Sequence, residues 1–318
     1  METGTVSRPG GSWLDDLSSL GERLEAVEAL DRLAQPAHHL VHRVLRPGPV
    51  KDALHGRWLG HPLHPFLTDL PIGFWTSAVV LDLAGGPRAE RAADRLLGLG
   101  VAAALPTAAA GAADWAELFE PEQRSGFVHA AANITATALF ASSWLARRSG
   151  ARRRGVRLAL AGAAAATVGG FIGGHLSYRR AAGVNQDAYN TGPGEWTPVD
   201  TTSAVTGTGA GATSPVEAVD AVDAVATVEA RPGRAGDTDV LVVGPNDQPD
   251  HALVAACSHL GGPLGEGDVS DGCVTCPWHG SRFRLSDGQV VRGPATAPQP
   301  WLEARSREGR VEVRRPPG

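Results

Sequence analysis

The stretch CSHLGGPLGEGDVSDGCVTCPWHG, residues 257–280, places two cysteine–histidine pairs in glycine-rich sequence. The first pair is Cys257-x-His259 and the second is Cys276-x-x-His279. Thiolate and imidazole groups are ligands of zinc and of iron–sulfur centres. Zinc ribbons usually carry Cys-x-x-Cys pairs, and zinc fingers space their histidines further apart. The mixed pairs therefore favour a two-iron cluster with cysteine on one iron and histidine on the other, with a zinc site as the alternative.

Composition supports a metal site rather than a disulfide framework. The chain has three cysteines, all clustered near this stretch, and Cys273 has no partner in the pattern. We expect Cys273 to be a buried apolar residue. A length of 318 residues suggests about two domains, and a net charge of −5 gives no indication of nucleic-acid binding.

The two segments CSHLGGPL and CPWHGSRF resemble the Rieske [2Fe–2S] domain, and the resemblance extends over residues 194–315. It implies one [2Fe–2S] cluster per chain. By this resemblance, Cys257 and Cys276 bind one iron, and His259 and His279 bind the other. It also implies a small all-β domain, in agreement with the short β-branched runs that the sequence shows between turn residues.

Departures from the high-potential members of that family indicate the redox range. Gly262 and Trp278 occupy the positions where those members carry a disulfide. Ser281 matches a serine that donates a hydrogen bond to a cluster sulfide, whereas Phe283 replaces a tyrosine that does the same. The resemblance thus implies a potential in the low-to-middle part of the roughly −150 to +300 mV Rieske range, as in Rieske-type ferredoxins.

Ring-hydroxylating oxygenases also begin with a Rieske domain and continue into a mononuclear iron site of two histidines and a carboxylate. No histidine follows His279 in this chain. We therefore expect no catalytic mononuclear iron domain, and a Rieske domain that carries electrons without activating oxygen.

The centre of the chain contains four apolar stretches, each near the length of a bilayer crossing. They predict a four-helix membrane bundle, with a soluble four-helix bundle as the alternative. The fold class is therefore an α-helical four-helix membrane bundle plus a small all-β Rieske domain. The predicted helices span 66–85, 96–115, 126–147 and 156–178.

The segments WLGHPLHPFLTDLPIGFW, GFVHAAAN and GGHLSYRR resemble an uncharacterised bacterial four-helix membrane family with a GHPLHP signature. This resemblance implies an architecture and a bacterial cell membrane, but no chemistry. Apolar residues at helical spacing over 13–45 predict an amphipathic helix, broken at Pro36, that packs on the bundle or lies on the membrane surface. The expected domains are 1–54 tail and amphipathic helix, 55–180 membrane domain, 181–193 linker and 194–318 Rieske domain.

Arginines in the connections predict the orientation. Loops near 88–95 and 147–157 are rich in arginine, whereas the loop between the second and third helices is acidic. Because arginine is retained on the cytoplasmic side, both termini should face outward, and the Rieske domain should be extracytoplasmic. The alternative is a cytoplasmic Rieske domain, since Arg179 and Arg180 follow the fourth helix.

An up-and-down bundle would bring several polar residues to that same outer side. Histidines within membrane helices usually face a protein interior or a cavity, so this group could hold haem, another metal or a quinone. The alternative is structural polar packing at the helix ends. The group consists of His61, His64, Asp69, His129 and His175.

The sequence therefore predicts a membrane-anchored electron-transfer protein, embedded in a lipid bilayer, with one Rieske cluster. Its partner would be a reductase, an electron acceptor or a membrane quinone, and not a nucleic acid. The alternatives are a subunit of a quinol- or haem-linked oxidoreductase, and a redox sensor.

Overall fold

The computed structural model describes residues 19–201, 230–245 and 248–317. Helices occupy the first part of the chain, and antiparallel strands occupy the last part. The chain divides into two compact units. The first comprises residues up to 42, 70–105 and 118–180, and the second comprises 43–69, 106–117 and 181–318.

Seven α-helices lie within the described residues, whereas the sequence predicts four membrane helices and one amphipathic helix. The difference arises because three shorter helices precede the four long ones. Each of the four predicted stretches lies within, or extends by a few residues beyond, one long helix. The helices are α1 Leu20–Glu25, α2 Asp31–Val44, α3 Pro49–His55, α4 Leu63–Ala84, α5 Gly86–Trp115, α6 Glu120–Arg148 and α7 Arg152–Gly174, which continues as a π-helical turn over His175–Arg179.

Among the described residues, three helices are long and apolar enough to cross a membrane by length and composition: Leu63–Ala84, Gly86–Trp115 and Arg152–Arg179. Helix α6 covers the third predicted stretch but falls outside this set. Charged residues fill its first turns, and polar residues such as His129 and Asn133 follow them. Helix α6 is therefore long enough to cross a membrane but less apolar than the sequence prediction assumed.

Helix α5 begins earlier than the sequence predicts. The sequence predicts a loop that contains Arg88, Arg91 and Arg95, but these residues lie in the first three turns of the helix. Thirty residues of α-helix are about 45 Å long, whereas a bilayer core is about 30 Å thick. The helix thus has length to spare for a charged end outside the apolar region.

Small residues let the long helices of the first unit approach closely. Trp75 of α4 stacks on Phe140 of α6 at 4.4 Å between ring centroids. A Cβ atom added to Gly100 of α5 would overlap the Trp75 indole, so the glycine makes room for the ring. At the other end of α6, the fully buried Arg147 pairs with Asp82 and Asp94.

The amphipathic segment is interrupted before α2 and not at Pro36, which lies inside that helix. The interruption is at Ala26–Val27, where Val27 leaves the helical conformation. Residues 13–18 of the predicted helix lie outside the described residues.

Helix α2 is held to α6 by an ion pair. Arg124 donates two hydrogen bonds of 2.7 Å to Asp31. The apolar residues Leu33, Leu40 and Val44 of α2 are exposed.

Two antiparallel sheets make up the described strands. The larger sheet has the order β1-β10-β9-β4-β3-β2, and the smaller has the order β5-β6-β7-β8. The strands are β1 Thr197–Pro198, β2 Ala230–Ala235, β3 Thr238–Val243, β4 His251–Val254, β5 Asp268–Ser270, β6 Cys273–Thr275, β7 Arg282–Arg284, β8 Val290–Arg292, β9 Trp301–Arg307 and β10 Arg310–Arg314.

Strand β3 is buried on both faces, which explains its continuous apolar run. Leu241 and Val243 face a core that also contains Cys257 and Cys276. Val240 and Val242 face a second core with residues of β9 and β10. Successive side chains of a strand point to opposite faces, so one strand can serve both cores.

Candidate metal centre

Two loops at one end of the β domain carry the four candidate ligands. The first follows β4 and spans 255–267, and the second spans 276–281 between β6 and β7. Both leave the core that contains the thiols of Cys257 and Cys276. Packing of the two loops therefore brings together the cysteines of two pairs that are separated by 16 residues, 260–275.

The two loops are closed by the same pair of backbone hydrogen bonds. In the first, Cys257 N–H donates to Gly262 O at 2.8 Å, and Gly261 N–H donates to Cys257 O at 2.8 Å. In the second, Cys276 N–H donates to Ser281 O at 2.8 Å, and Gly280 N–H donates to Cys276 O at 3.0 Å. Each cysteine thus lies at the start of its loop and is held there by the same two backbone hydrogen bonds.

Glycine is needed at two kinds of position in these loops. Gly261 and Gly280 have φ values of 72° and 70°, in the left-handed region that side chains disfavour. Gly262 is required for space, because a Cβ atom there would lie 2.9 Å from Cys276 Sγ and 3.1 Å from the Trp278 ring. The first loop can therefore approach the second.

The two thiols are buried and share a hydrogen bond. That bond and burial raise the pKa of Cys257. The same bond lowers the pKa of Cys276, and the backbone N–H groups of Trp278 and His279 also donate to its sulfur. N–H groups that point at a sulfur stabilise a thiolate, which is the form that binds metal.

The two imidazoles come from the same two loops as the thiols and contact each other. The rings of His259 and His279 are 5.1 Å apart and nearly perpendicular. His259 Nδ1 is buried and has no hydrogen-bond partner, and burial followed by the charge of His279 lowers the pKa of His259. A neutral imidazole with an unpartnered buried nitrogen suits a metal ligand. The residues present thus fit a cluster held by two thiolates and two imidazoles.

Within residues 19–201, 230–245 and 248–317, the structure has no set of three or more His, Cys, Asp or Glu side chains arranged around one metal ion. Cys273 is buried in β6 and is a free thiol.

Ser281 and Phe283 line the second loop. Ser281 is fully buried, and its Oγ accepts a hydrogen bond of 3.0 Å from Ala295 N–H. Because this contact uses a lone pair, the hydroxyl proton remains able to donate. Phe283 is also fully buried and belongs to the same core as the two thiols.

A buried amide that the sequence did not reveal supports the first loop. Gln299 Oε1 accepts from Ser258 N–H at 3.0 Å. Its Nε2 donates to Asp187 Oδ2 at 2.7 Å and to Val254 O at 2.8 Å. Gln186 N–H also donates to Ser258 O at 3.0 Å. No local motif marks these residues, because their partners are distant in the chain.

The predicted group of helix-end residues is divided between the two units. In the first unit, His129 Nδ1 donates to Gly169 O at 2.8 Å, and His175 Nε2 bonds to Glu25 at 2.8 Å. In the second unit, His64 Nδ1 donates to Thr107 O at 2.9 Å, His61 Nδ1 bonds to Pro62 O at 3.1 Å, and Asp69 is exposed. Haem, metal or quinone binding by this group stays a prediction.

Comparison with known proteins gives two matches along the chain. Residues 60–186 match the family described as predicted membrane protein (DUF2231), and residues 216–306 match the Rieske [2Fe-2S] domain. These matches agree with the helical and β-rich parts of the structure.

Individual relatives match the C-terminal region. Ferredoxin CarAc of Metapseudomonas resinovorans is 31% identical over 83 residues, which are 26% of this chain and 77% of that protein. Apoptosis-inducing factor 3 of Mus musculus is 36% identical over 75 residues, which are 24% of this chain but only 12% of that protein. The solved ferredoxin of carbazole 1,9a-dioxygenase from Nocardioides aromaticivorans IC177 is 21% identical, with a TM-score of 0.25, over 27% of this chain and 85% of that chain. Through its C-terminal domain, and with a DUF2231 predicted membrane domain before it, the chain belongs to the Rieske [2Fe–2S] family.

Proposed function

We propose that this protein transfers electrons at a membrane through one [2Fe–2S] cluster held by Cys257, Cys276, His259 and His279. The observation that carries the proposal is the pair of equivalent loops. Their two thiols lie in one buried core and share a hydrogen bond, and their two imidazoles contact each other. The buried, unpartnered Nδ1 of His259 supports a metal bond at that atom.

When bound, the cluster supplies a one-electron redox couple. In our proposal, the cysteines hold one iron as thiolates and the histidines hold the other as neutral imidazoles. N–H groups of the two loops donate to the cysteine sulfurs, so they stabilise negative charge at the centre in either redox state. The core behind the thiols excludes water from that side.

We expect a midpoint potential in the low-to-middle part of the roughly −150 to +300 mV Rieske range. Ser281 provides one hydroxyl at the second loop, whereas Phe283 provides none. Fewer hydrogen bonds to sulfur leave the reduced cluster less stabilised. Protein-film voltammetry checks this, and a potential above that of a membrane quinone pool contradicts it.

The relative named as a ferredoxin supports a protein redox partner, either a reductase or an acceptor. Three membrane-capable helices support anchoring in a bilayer. We place the membrane domain at 55–180, a linker at 181–193 and the Rieske domain at 194–318, after an N-terminal segment of 1–54.

We further propose that α6 crosses the membrane together with the three more apolar helices, and that the Rieske domain lies outside a bacterial cytoplasm. Arginine is concentrated at 88–95 and 147–157, which would then share the cytoplasmic side. A reporter fused to the C-terminus tests the orientation. Activity of a reporter that works only outside the cytoplasm is expected, and activity of a cytoplasmic reporter instead contradicts the placement.

The cluster itself is tested by iron and sulfide analysis with EPR spectroscopy of the purified full-length protein. We expect two irons and two sulfides per chain and, after one-electron reduction, an EPR signal from the paramagnetic cluster. The variant His259→Ala should lose the signal, whereas the control His251→Gln, on strand β4 outside both loops, should keep it. Zinc in place of iron would overturn the proposal.

A further inference from the structure

A helix that precedes the membrane signature packs against the cluster end of the Rieske domain. Helix α3, Pro49–His55, belongs to the same compact unit as residues 181–318. Asp52 Oδ1 accepts a hydrogen bond of 3.0 Å from Gly293 N–H. Arg57, just after the helix, reaches Val290 O at 3.4 Å and Asp52 Oδ2 at 3.3 Å.

The contact leads directly to the second cluster loop. A Cβ atom on Gly293 would lie 3.1 Å from Asp52 Oδ1 and 3.8 Å from the His55 ring, so α3 rests on this glycine. Two residues further on, Ala295 N–H donates to Ser281 Oγ at 3.0 Å. Ala295 also belongs to the core of Cys257 and Cys276.

His55 is buried in the second unit, and only one of its two ring nitrogens forms a hydrogen bond. Its side chain is 3% exposed, and its Nδ1–H donates to Asp114 Oδ1 at 2.8 Å. Its Nε2 is buried and has no hydrogen-bond partner. A buried polar atom without a partner costs free energy and calls for an explanation.

Lys51, one turn earlier on α3, is also buried and forms an ion pair with Glu117. Helix α3 is therefore held by two buried side chains, His55 against Asp114 and Lys51 against Glu117. It rests on Gly293, which leads within two residues to the hydrogen bond between Ala295 N–H and Ser281 Oγ.

We propose that helix α3 is a built-in docking partner of the second cluster loop, and that His55, held by Asp114, is a positioning residue. It keeps Gly293 and Ala295 in place, and through them the Ser281 hydroxyl. A well-held hydroxyl that donates to the bound cluster stabilises its reduced form, so the midpoint potential is higher with His55 in place. This inference rests on the proposed function, since it requires the cluster. By this inference, a helix outside the Rieske domain but in the same chain affects the midpoint potential of the cluster.

An EPR-monitored redox titration of the full-length protein tests the role of His55. The variant His55→Gln should lower the midpoint potential, so that its reduced fraction at the wild-type midpoint falls several-fold below that of wild type. The control His251→Gln should leave the midpoint unchanged. An unchanged midpoint in His55→Gln, with full iron content and a wild-type EPR signal, overturns the inference and leaves the proposed function intact. Wild-type protein without iron overturns the proposed function instead.

Amide hydrogen exchange tests the docking without depending on His55. In the wild type, Gly293 N–H should exchange slowly, and Asp52→Ala should accelerate it at least tenfold, since the acceptor of that N–H is removed. Rapid exchange of Gly293 in the wild type, or exchange that is no faster in Asp52→Ala, contradicts the proposal.

Discussion

Asp187 is a buried carboxyl group whose neighbours are amides rather than cations. It is 2% exposed, and Gln299 and Asn190 donate to its two oxygens. Burial raises its pKa to about 6 from an ordinary value of 3.8, although those hydrogen bonds oppose the rise. The folded state therefore holds this proton more tightly than the unfolded state does, and burying the ionised form is unfavourable.

The sign of the pH dependence follows from that rise. The contribution of the Asp187 proton to stability is fully present below about pH 4 and is lost as the pH rises through about 6. We expect Asp187→Asn, which keeps an acceptor for Gln299, to stabilise the β domain at pH 8 by up to about 3 kcal/mol. At pH 4 the effect should be near zero. Thermal unfolding at both values checks this, and a variant that is less stable at pH 8 contradicts it.

Substitutions at Ser281 and Phe283 should shift the midpoint potential of the cluster in opposite directions. Ser281→Ala should lower the midpoint potential, because the hydroxyl can no longer donate to a cluster sulfide. It should also cost about 1–3 kcal/mol, since the buried Ala295 N–H loses its acceptor. Phe283→Tyr should raise the midpoint by adding a donor. Voltammetry of both variants checks the directions, and two shifts of the same sign would refute the assignment.

At the scale of elements, helix α1 is tied to the end of α7 by a buried ion-pair network. Glu25 accepts from His175 at 2.8 Å and from Arg180 at 2.9 Å. Burial tends to raise the pKa of Glu25, but the hydrogen bonds from Arg180 and His175 outweigh it, and the pKa is lowered. The stabilisation is therefore present above pH 4.5 and is lost as the pH falls through the lowered pKa.

We expect Glu25→Ala to destabilise the first unit by about 3 kcal/mol at pH 7, because it leaves buried donors unpaired. The exposed Glu28→Ala, three residues away, serves as the matched control and should change stability by less than about 0.5 kcal/mol. Thermal unfolding together with limited proteolysis near residue 26 measures both. Equal stability of the two variants would show that the network does not hold α1 in place.

At the scale of the whole molecule, metal binding and folding of the β domain should be coupled. The β domain buries the thiols of Cys257 and Cys276 and the unpartnered Nδ1 of His259. Because a group that binds only the folded state stabilises that state, removal of iron should lower the unfolding temperature of the β domain. The helical circular-dichroism signal at low temperature should persist. Simultaneous loss of helical signal on chelation would contradict this separation.

Some features follow from local sequence. Ligand chemistry and spacing predict the candidate ligands Cys257, His259, Cys276 and His279, and apolar length locates the four long helices, because both signals lie within short segments. Continuous β-branched runs likewise predict β3, β4, β8 and β10. The short strands β5–β7 carry weaker patterns and appear only in the structure.

The sequence by itself determined the two architectures, the candidate ligands and the order in which they occur, since these depend on residue type and local periodicity. Only the tertiary structure decided what surrounds the ligands. Gln299 reaches Ser258 across 41 residues, and Asp52 reaches Gly293 across 241. Such contacts form when packing of the sheets and helices brings distant segments together, and no local pattern of residues encodes which segments will meet.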